Sequence, residues 1–314
     1  MKYLRWCAVL LFSILPLGAC TKEEPATGKA KVQVVTTIFP LYDFARIVGG
    51  DRADVSLLLP PGVEPHSFEP KPEDMVRINR AGLFVYTNPY MEPWVPGLIK
   101  GIDRKRLTVV DASAGITFLS SGDHDNDHDV NEGGIHHGGR DPHVWLSIPN
   151  ARKMVENIAA ALEVKDPSNA DFYRKNAAAY GEKLAELDRK FKEELSGCRT
   201  KQFLHGGHYA FGYLADRYGL QYVSAYAISA DAEPRPRKLT AMIDQIRSTG
   251  TRYIFYEELI SPRVAETISR ETGATMLKLN GVHNLSRDEL HRGATYLSLM
   301  EQNLANLRTG LQCR

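Results

Sequence analysis

The chain has little net charge and little cysteine. Its 314 residues carry 39 Lys and Arg against 38 Asp and Glu, a formal net charge of +1. A polycationic surface for nucleic acid is therefore not expected. Four cysteines in a chain of this length exclude a small scaffold held mainly by disulfides. The 43% hydrophobic and 25% charged composition is that of a globular protein long enough for two domains.

Long hydrophobic runs are also missing. The longest apolar stretch lies within the first twenty residues and has only about a dozen residues, too few to span a bilayer of roughly 30 Å. It follows Lys2 and Arg5, as in a secretory signal peptide. We therefore expect residues 1–19 to be a signal peptide and the protein to be exported.

The end of this segment, Leu17-Gly18-Ala19-Cys20, resembles the lipobox of bacterial lipoproteins. The resemblance implies cleavage before Cys20 and a lipid on that cysteine. The alternative is an ordinary signal peptide that happens to end beside Cys. Residues 20–31 are polar and suit a tether. We predict a protein attached by lipid alone to a bacterial membrane, facing the periplasm or the cell exterior.

Export leaves one pair of cysteines. Cys7 departs with the signal and Cys20 carries lipid, so Cys198 and Cys313 remain in an oxidising compartment. A disulfide between them would enclose about 115 residues and stabilise the fold by roughly 4–5 kcal/mol on the chain-entropy account. Two free buried thiols are the alternative. We predict the disulfide.

Short β-branched and aromatic runs alternate with amphipathic stretches in both halves of the chain. The predicted strands cover residues 32–38, 55–59, 83–86, 107–110, 202–204, 221–224, 253–256 and 275–279. The predicted helices include residues 41–48, 72–81, 210–218, 236–248 and 262–272. This alternation favours parallel sheets with helices on both faces. We predict an α/β fold with two (βα)4-like lobes, at residues 32–160 and 198–314.

A long amphipathic helix is predicted between the lobes, over residues 164–197. Asp166 and Pro167 form a good helix start, and Gly197 a plausible stop. Positions at spacings of three and four form one face: Phe172, Asn176, Tyr180, Leu184, Leu187, Phe191 and Leu195. About 30 residues give a helix of roughly 45 Å, which can run along both lobes and fix their angle.

Four histidines follow predicted strands, two in each half: His66, His143, His208 and His283. Ligands of open α/β sheets bind beyond the carboxyl ends of the strands, so these imidazoles can converge between the lobes. A single buried histidine is more often structural, but one metal ion would explain all four positions. Imidazole nitrogens suit tetrahedral zinc, whereas manganese and magnesium prefer oxygen ligands.

Four motifs in order resemble the metal-binding lipoproteins of bacterial ABC importers for zinc and manganese. They are TTIFPL at 36–41, PHSFEP at 65–70, DPHVWL at 141–146 and HYAFGY at 208–213. The resemblance covers essentially the whole mature chain. It implies two lobes, a connecting backbone helix and one metal ion between the lobes, with His66, His143 and His208 as ligands. It also implies a non-enzymatic protein that captures Zn(II) for an ABC permease and its ATPase; we expect a monomer.

The fourth ligand departs from the family pattern. Many members have Asp after the last strand, where this chain reads Asn280-Gly281-Val282-His283. Neutral Asn280 is a poor zinc ligand, so we predict His283. Asn280, a water molecule and Glu64 remain alternatives.

Three other polar residues lie at or next to the ends of predicted strands or loops. Glu233 and Glu257 suit hydrogen bonds to ligand imidazoles, although plain structural roles fit equally well. His205 is left out because it and His208 could not easily face the same ion.

A His-rich loop at residues 120–140 forms a separate feature of the first lobe. It contains His124, His128, His136 and His137 and has almost no apolar residue. Similar loops occur in the zinc-binding branch of the family, which favours zinc. We expect accessory metal capture from this loop and no primary ligand; a solvated insert with incidental histidines is the alternative.

Three other functions remain open. A manganese-binding importer component of the same family is the nearest. A zinc hydrolase would need an open coordination position beside a general base, but the sequence has no HExxH, and only Glu64 lies near a ligand. A surface adhesin is the third.

Overall fold

The computed structural model describes residues 30–103, 105–120, 139–228 and 236–314. The predicted signal peptide, Cys20 and most of the tether lie outside the described residues, as do Glu233 and the four histidines of the His-rich loop. In the described part of the chain, no helix combines the length and the hydropathy that a membrane crossing requires.

The first lobe is built on a parallel four-stranded sheet. Its strands are β1 (Val32–Thr36), β2 (Ala53–Leu57), β3 (Leu83–Tyr86) and β4 (Thr108–Asp111), in the order β2-β1-β3-β4. Its helices are α1 (Phe39–Gly49), α2 (Pro72–Arg80), α3 (Val95–Ile99) and α4 (Ile148–Lys165). All four residues of β3 are buried, as expected for a central strand covered on both faces.

The predicted helix between the lobes is α5 (Ala170–Ser196), preceded by a 3-10 turn, Pro167–Asn169. It begins later than predicted because residues 164 and 165 still belong to α4. The predicted face is buried from Tyr180 to Leu195. In the first turns, Tyr173 and Ala177 are buried while Phe172 and Asn176 flank them. The series 173, 177, 180, 184 keeps the steps of three and four, so helix geometry directs those positions inward.

The second lobe repeats the first. Its strands are β5 (Gln202–His205), β6 (Gln221–Ser224), β7 (Tyr253–Glu257) and β8 (Thr275–Leu279), all parallel, in the order β6-β5-β7-β8. Its helices are α6 (Gly212–Tyr218), α7 (Pro236–Thr249), α8 (Arg263–Thr272), α9 (Arg287–His291) and α10 (Tyr296–Gly310). The two sheets confirm the predicted α/β architecture of two lobes joined by a long helix.

Several predicted boundaries shift by one or two residues. The strand predicted at 55–59 is Ala53–Leu57, although Leu58 and Leu59 remain buried and still donate their N–H groups to the carbonyls of Thr36 and Thr37. The helix predicted from residue 210 begins at Gly212 because the N–H of Ala210 turns to the His208 carbonyl and the Tyr222 hydroxyl. His208 therefore lies in a loop and does not open the helix.

One apolar core spans both lobes. It contains residues of β1, α1 and α4, the inner face of α5, and residues of β5, α6 and α10. Each sheet has a further cluster on its outer face, centred on Phe84 in the first lobe and on Ile254 in the second. A disulfide joins Cys198 to Cys313, as predicted, and fastens the end of α10 to the chain that leaves α5.

The loop after β8 lies against the first lobe. The N–H of Phe39 donates to the carbonyl of His283 at 3.1 Å, and the N–H of Gly62 donates to that of Leu285 at 2.8 Å. The Asn284 amide donates to the Pro60 carbonyl at 2.8 Å. These bonds join the loop that carries His283 to the loops at the carboxyl edge of the first sheet.

Candidate metal centre

Three of the four predicted histidines meet between the lobes. His66 lies in the loop after β2, His143 precedes a short 3-10 turn before α4, and His208 lies between β5 and α6. All three side chains are buried. The Nε2 atom of His143 lies 3.1 Å from Nε2 of His66 and 3.2 Å from Nε2 of His208.

This spacing suits a shared cation. Two ligands of a tetrahedral zinc ion, each at 2.0–2.1 Å, lie about 3.3 Å apart. Candidate ligand atoms of the three histidines all lie within 4.8 Å of one another. Each neutral imidazole has one ring nitrogen with a lone pair, so the three histidines can donate three nitrogen ligands to one ion.

His143 is held by a carboxylate that the sequence reasoning missed. The buried Asp141 accepts at Oδ1 from the His143 main-chain N–H at 3.0 Å, and the same oxygen lies 2.8 Å from His143 Nδ1. A carboxylate there keeps the proton on Nδ1 and leaves the Nε2 lone pair toward the ion. The signal was available, since Asp141 lies two residues before His143 in the same motif.

His208 is held in the same way by Glu257 at the end of β7. Oε1 of Glu257 accepts from the His208 main-chain N–H at 2.7 Å, and Oε2 lies 2.7 Å from His208 Nδ1. A Cβ at Gly207 would overlap this carboxylate, so the close approach requires glycine. Glu257 thus hydrogen-bonds a predicted ligand, one of the two roles left open from the sequence.

Glu257 and His208 shift each other's pKa values. Burial disfavours the charged form of Glu257, yet the neighbouring His208 lowers the pKa of this carboxyl to about 2. Burial likewise works against charge on His208, and the Glu257 carboxylate raises the pKa of the imidazole above its ordinary value. Glu257 therefore stays ionised at neutral pH and increases the basicity of His208.

His283 lies beside the three, outside the group whose candidate ligand atoms lie within 4.8 Å of one another. Its ring centroid is 5.8 Å from that of His208, and its side chain is 1% exposed. Among the described residues, neither ring nitrogen finds a hydrogen-bond partner. Burial lowers the pKa of His283 to about 3, so the imidazole is neutral and its lone pair is available. Orphaned buried nitrogens are costly and call for a ligand.

The alternative side chains for the fourth ligand position have other hydrogen-bond partners. Oδ1 of Asn280 accepts from the N–H of Val282 at 2.7 Å. Oε2 of Glu64 accepts from the N–H of Ser67 at 3.1 Å, within the turn that carries His66. His205 packs beneath the site, with Nδ1 3.2 Å from the carbonyl of His208.

Fold and site together define a two-lobed α/β binding protein with a buried tri-histidine cation site between its lobes. The chain belongs to the family described as the periplasmic component A of the zinc-uptake complex, whose sequence profile matches residues 34–310. This confirms the resemblance carried by the four sequence motifs. Members of this family are exported, so the chain is an exported protein.

Individual relatives agree with this membership. The chain is 40% identical over 304 residues to the zinc-binding lipoprotein AdcA of Streptococcus pneumoniae, covering 96% of this chain but 60% of that protein. It is 36% identical over 313 residues to the high-affinity zinc uptake system protein ZnuA of Bacillus subtilis, covering 98% of each. The chain thus spans about 60% of the AdcA length and nearly all of the ZnuA length.

A solved structure reproduces the fold. The Zn(II)-bound ZnuA-like domain of Streptococcus pneumoniae AdcA superposes with a TM-score of 0.76 at 37% identity, covering 90% of this chain and 99% of that domain. The fold of this chain is therefore similar to that of a zinc-bound relative.

Proposed function

We propose that this protein captures extracytoplasmic Zn(II) and delivers it to the permease of an ABC importer, which a partner ATPase drives. The observation that carries the proposal is the approach of three buried imidazole nitrogens to 3.1 and 3.2 Å between two lobes. An all-nitrogen face favours zinc over manganese, which prefers oxygen. The zinc-binding and zinc-uptake names of the relatives support the same cargo.

His66, His143, His208 and His283 are the proposed ligands. Support for His283 comes from its burial, its two orphaned nitrogens and its position 5.8 Å from His208. With His283 as the fourth ligand, the zinc ion would be four-coordinate. A protein that supplies all four ligands leaves no position for a reacting water, which suits cargo binding and not hydrolysis. The family consists of transport components and not of enzymes.

Two further parts of the proposal rest on sequence. Cys20 is the proposed lipid attachment site, and residues 20–31 the tether that lets the binding lobes reach a permease in the same membrane. The histidines of the 120–140 loop are proposed to gather zinc near the cleft at lower affinity than the four ligands.

Elemental analysis of protein purified from medium with balanced zinc and manganese tests the cargo. We expect zinc, with several equivalents in the intact chain and one equivalent after deletion of residues 122–139. In competitive titration, His66→Ala and His143→Ala should lose high-affinity zinc, while the exposed His291→Ala is the matched control. One equivalent of manganese, or wild-type zinc affinity in both cleft variants, would contradict the proposal.

A further inference from the structure

The turn that carries His283 is held by a buried asparagine of α10. Asn303 is 1% exposed. Its Oδ1 accepts from the main-chain N–H of Asn280 at 2.7 Å, and its Nδ2 donates to the main-chain carbonyl of Asn280 at 2.8 Å. One side chain thus binds both polar groups of the residue that follows β8. This two-point contact fixes where the turn starts and in which direction it leaves the strand.

The turn itself has a special backbone. Asn280 Oδ1 accepts from the N–H of Val282, whose φ is +58°. This left-handed conformation is unfavourable for a β-branched residue and persists only where the surroundings enforce it. The enforcing contacts include Asn303 on one side and, on the other, Trp145, whose indole N–H donates to the Gly281 carbonyl at 2.8 Å.

Gly281 allows the His283 ring to fold back over the turn. A Cβ at residue 281 would lie 2.6 Å from Cε1 and 2.7 Å from Nδ1 of His283, and its three nearest atoms all belong to that imidazole. Gly281 is not among the positive-φ glycines. The need for glycine therefore comes from the approach of the ring, and an added methyl group would displace that ring before any other group.

We propose that Asn303 and Gly281 are positioning residues for the fourth zinc ligand. Asn303 orients the turn from outside the site, and Gly281 leaves the space in which the His283 imidazole lies. Together they hold the buried His283 imidazole next to the three converged histidines before zinc arrives. Because the ring is ordered in advance, less conformational freedom is lost on binding, and affinity rises. This inference rests on the proposed function, specifically on His283 as a ligand.

The chain offers a matched control one turn further along α10. Asn306 Nδ2 donates to the main-chain carbonyl of Lys278 at 2.8 Å, so it makes the same kind of bond within β8, two residues before Asn280. The side chain of Lys278 pairs with Glu289 at 3.2 Å, away from the histidines. Loss of this bond perturbs α10 and β8 without touching the turn that carries His283.

The test measures zinc affinity by competition with a chromophoric chelator for Asn303→Ala, Gly281→Ala and Asn306→Ala. Each substitution is made in the wild-type chain and in His283→Ala. Circular dichroism and thermal unfolding establish that each variant is folded. Should Asn303→Ala not fold, the Gly281→Ala pair decides, because that change adds one methyl group against the imidazole alone.

We expect Asn303→Ala and Gly281→Ala to weaken zinc binding about tenfold or more, as loss of an orienting partner does. Asn306→Ala should stay within about twofold of the wild type. In the His283→Ala background, both positioning substitutions should also have effects below about twofold. The inference is wrong if Asn303→Ala and Gly281→Ala lose no more zinc affinity than Asn306→Ala does. It is also wrong if their losses are as large in the His283→Ala background as in the wild type.

Failure of the inference is distinguishable from failure of the proposed function. If His66→Ala abolishes high-affinity binding while His283→Ala binds like the wild type, the fourth ligand and its positioning residues are wrong but the tri-histidine zinc site stands. If His66→Ala itself binds zinc normally, the proposed function fails.

Discussion

The two lobes have the same strand order, yet they use the ends of their strands differently. In the first lobe, His66 and His143 follow the edge strands β2 and β4. The loops after its central strands β1 and β3 are joined by a bond from the Thr37 hydroxyl to Glu92. In the second lobe, the corresponding central pair supplies the ligand His208 and its carboxylate Glu257. His283 follows the edge strand β8.

Glu92 and Glu257 are thus buried carboxyls at related places with different partners. Glu92 accepts from the Thr37 hydroxyl and from the main-chain N–H groups of Thr87 and Asn88, and burial raises its pKa to about 7. Burial acts on Glu257 in the same sense, but His208 lowers its pKa to about 2. Both carboxyls are buried, so the imidazole partner of Glu257 accounts for the opposite directions of the two pKa shifts.

The largest expected effect comes from the ligands. His208→Ala should weaken zinc binding by more than the roughly 10–100-fold that loss of an orienting hydrogen bond costs, because it removes a coordinate bond and leaves Glu257 buried without its imidazole. His283→Ala should weaken binding less, because the three converged nitrogens remain. Competitive titration measures both. Equal losses would show that the two histidines of the second lobe are equivalent.

The next effect concerns the carboxylates behind the ligands. Glu257→Gln and Asp141→Asn should each weaken zinc binding by roughly 10–100-fold, since each ligand imidazole loses a charged hydrogen-bond partner. The surface substitution Glu271→Gln, in an exposed ion pair with Arg247, is the control. Affinities unchanged within about twofold in both site variants would contradict the assigned roles.

The pH dependence of zinc affinity should differ between the wild type and Glu257→Gln. Zinc affinity falls with acid because ligand imidazoles must be neutral. Glu257 raises the pKa of His208, so protons compete with zinc at higher pH in the wild type than in the variant. We expect the affinity of Glu257→Gln to be lower at pH 7.5 but to begin falling at lower pH. Parallel pH profiles would show that Glu257 does not set the proton affinity of His208.

The last prediction concerns the stability of the first lobe and not zinc affinity. The pKa of Glu92 is about 7 in the folded chain against 4.5 as its ordinary value, so the folded state binds more protons between these values. Stability from this group is therefore full below pH 4.5 and is lost as pH rises to 7, by about 3 kcal/mol. Denaturant unfolding of the metal-free protein measures this decline.

Glu92→Gln should lack the part of the decline that comes from Glu92, because its amide does not titrate. Burial also raises the pKa of Glu258 to about 8, so a decline from that carboxyl remains. Asp43→Asn is the comparison variant: burial raises the Asp43 pKa to about 6, so it should remove a decline at lower pH, between 3.8 and 6. A decline as steep in Glu92→Gln as in the wild type would refute the assignment. Glu257 should change stability in the opposite direction. Its pKa is lowered, so the stability that it contributes is lost as pH falls.

The sequence predicted most of the fold because strands and helices leave periodic signals. Short β-branched and aromatic runs marked the eight strands of the described residues, and the 3-4 spacing marked α5. His66, His143 and His208 were predicted to converge because residues after parallel strands meet at one sheet edge. The described residues agree, with Nε2 distances of 3.1 and 3.2 Å.

Contacts between distant elements could not be predicted, because they leave no such period. Asn303 binds Asn280 from 23 residues away through side-chain bonds to the main chain. The left-handed Val282 contradicts local preference, so only the surrounding fold explains it. Asp141 is different, because the sequence shows it two residues before His143. Once His143 is taken as a ligand, Asp141 can be predicted as the hydrogen-bond partner of its Nδ1. The fourth ligand, His283, stays a prediction.

The most direct test of the account is X-ray absorption at the zinc edge of the protein loaded with one equivalent after deletion of residues 122–139. We expect four nitrogen scatterers at about 2.0–2.1 Å with the outer-shell pattern of imidazole rings, and three such rings in His283→Ala. A first shell containing carboxylate oxygen, or an unchanged spectrum in His283→Ala, would contradict the four-histidine site.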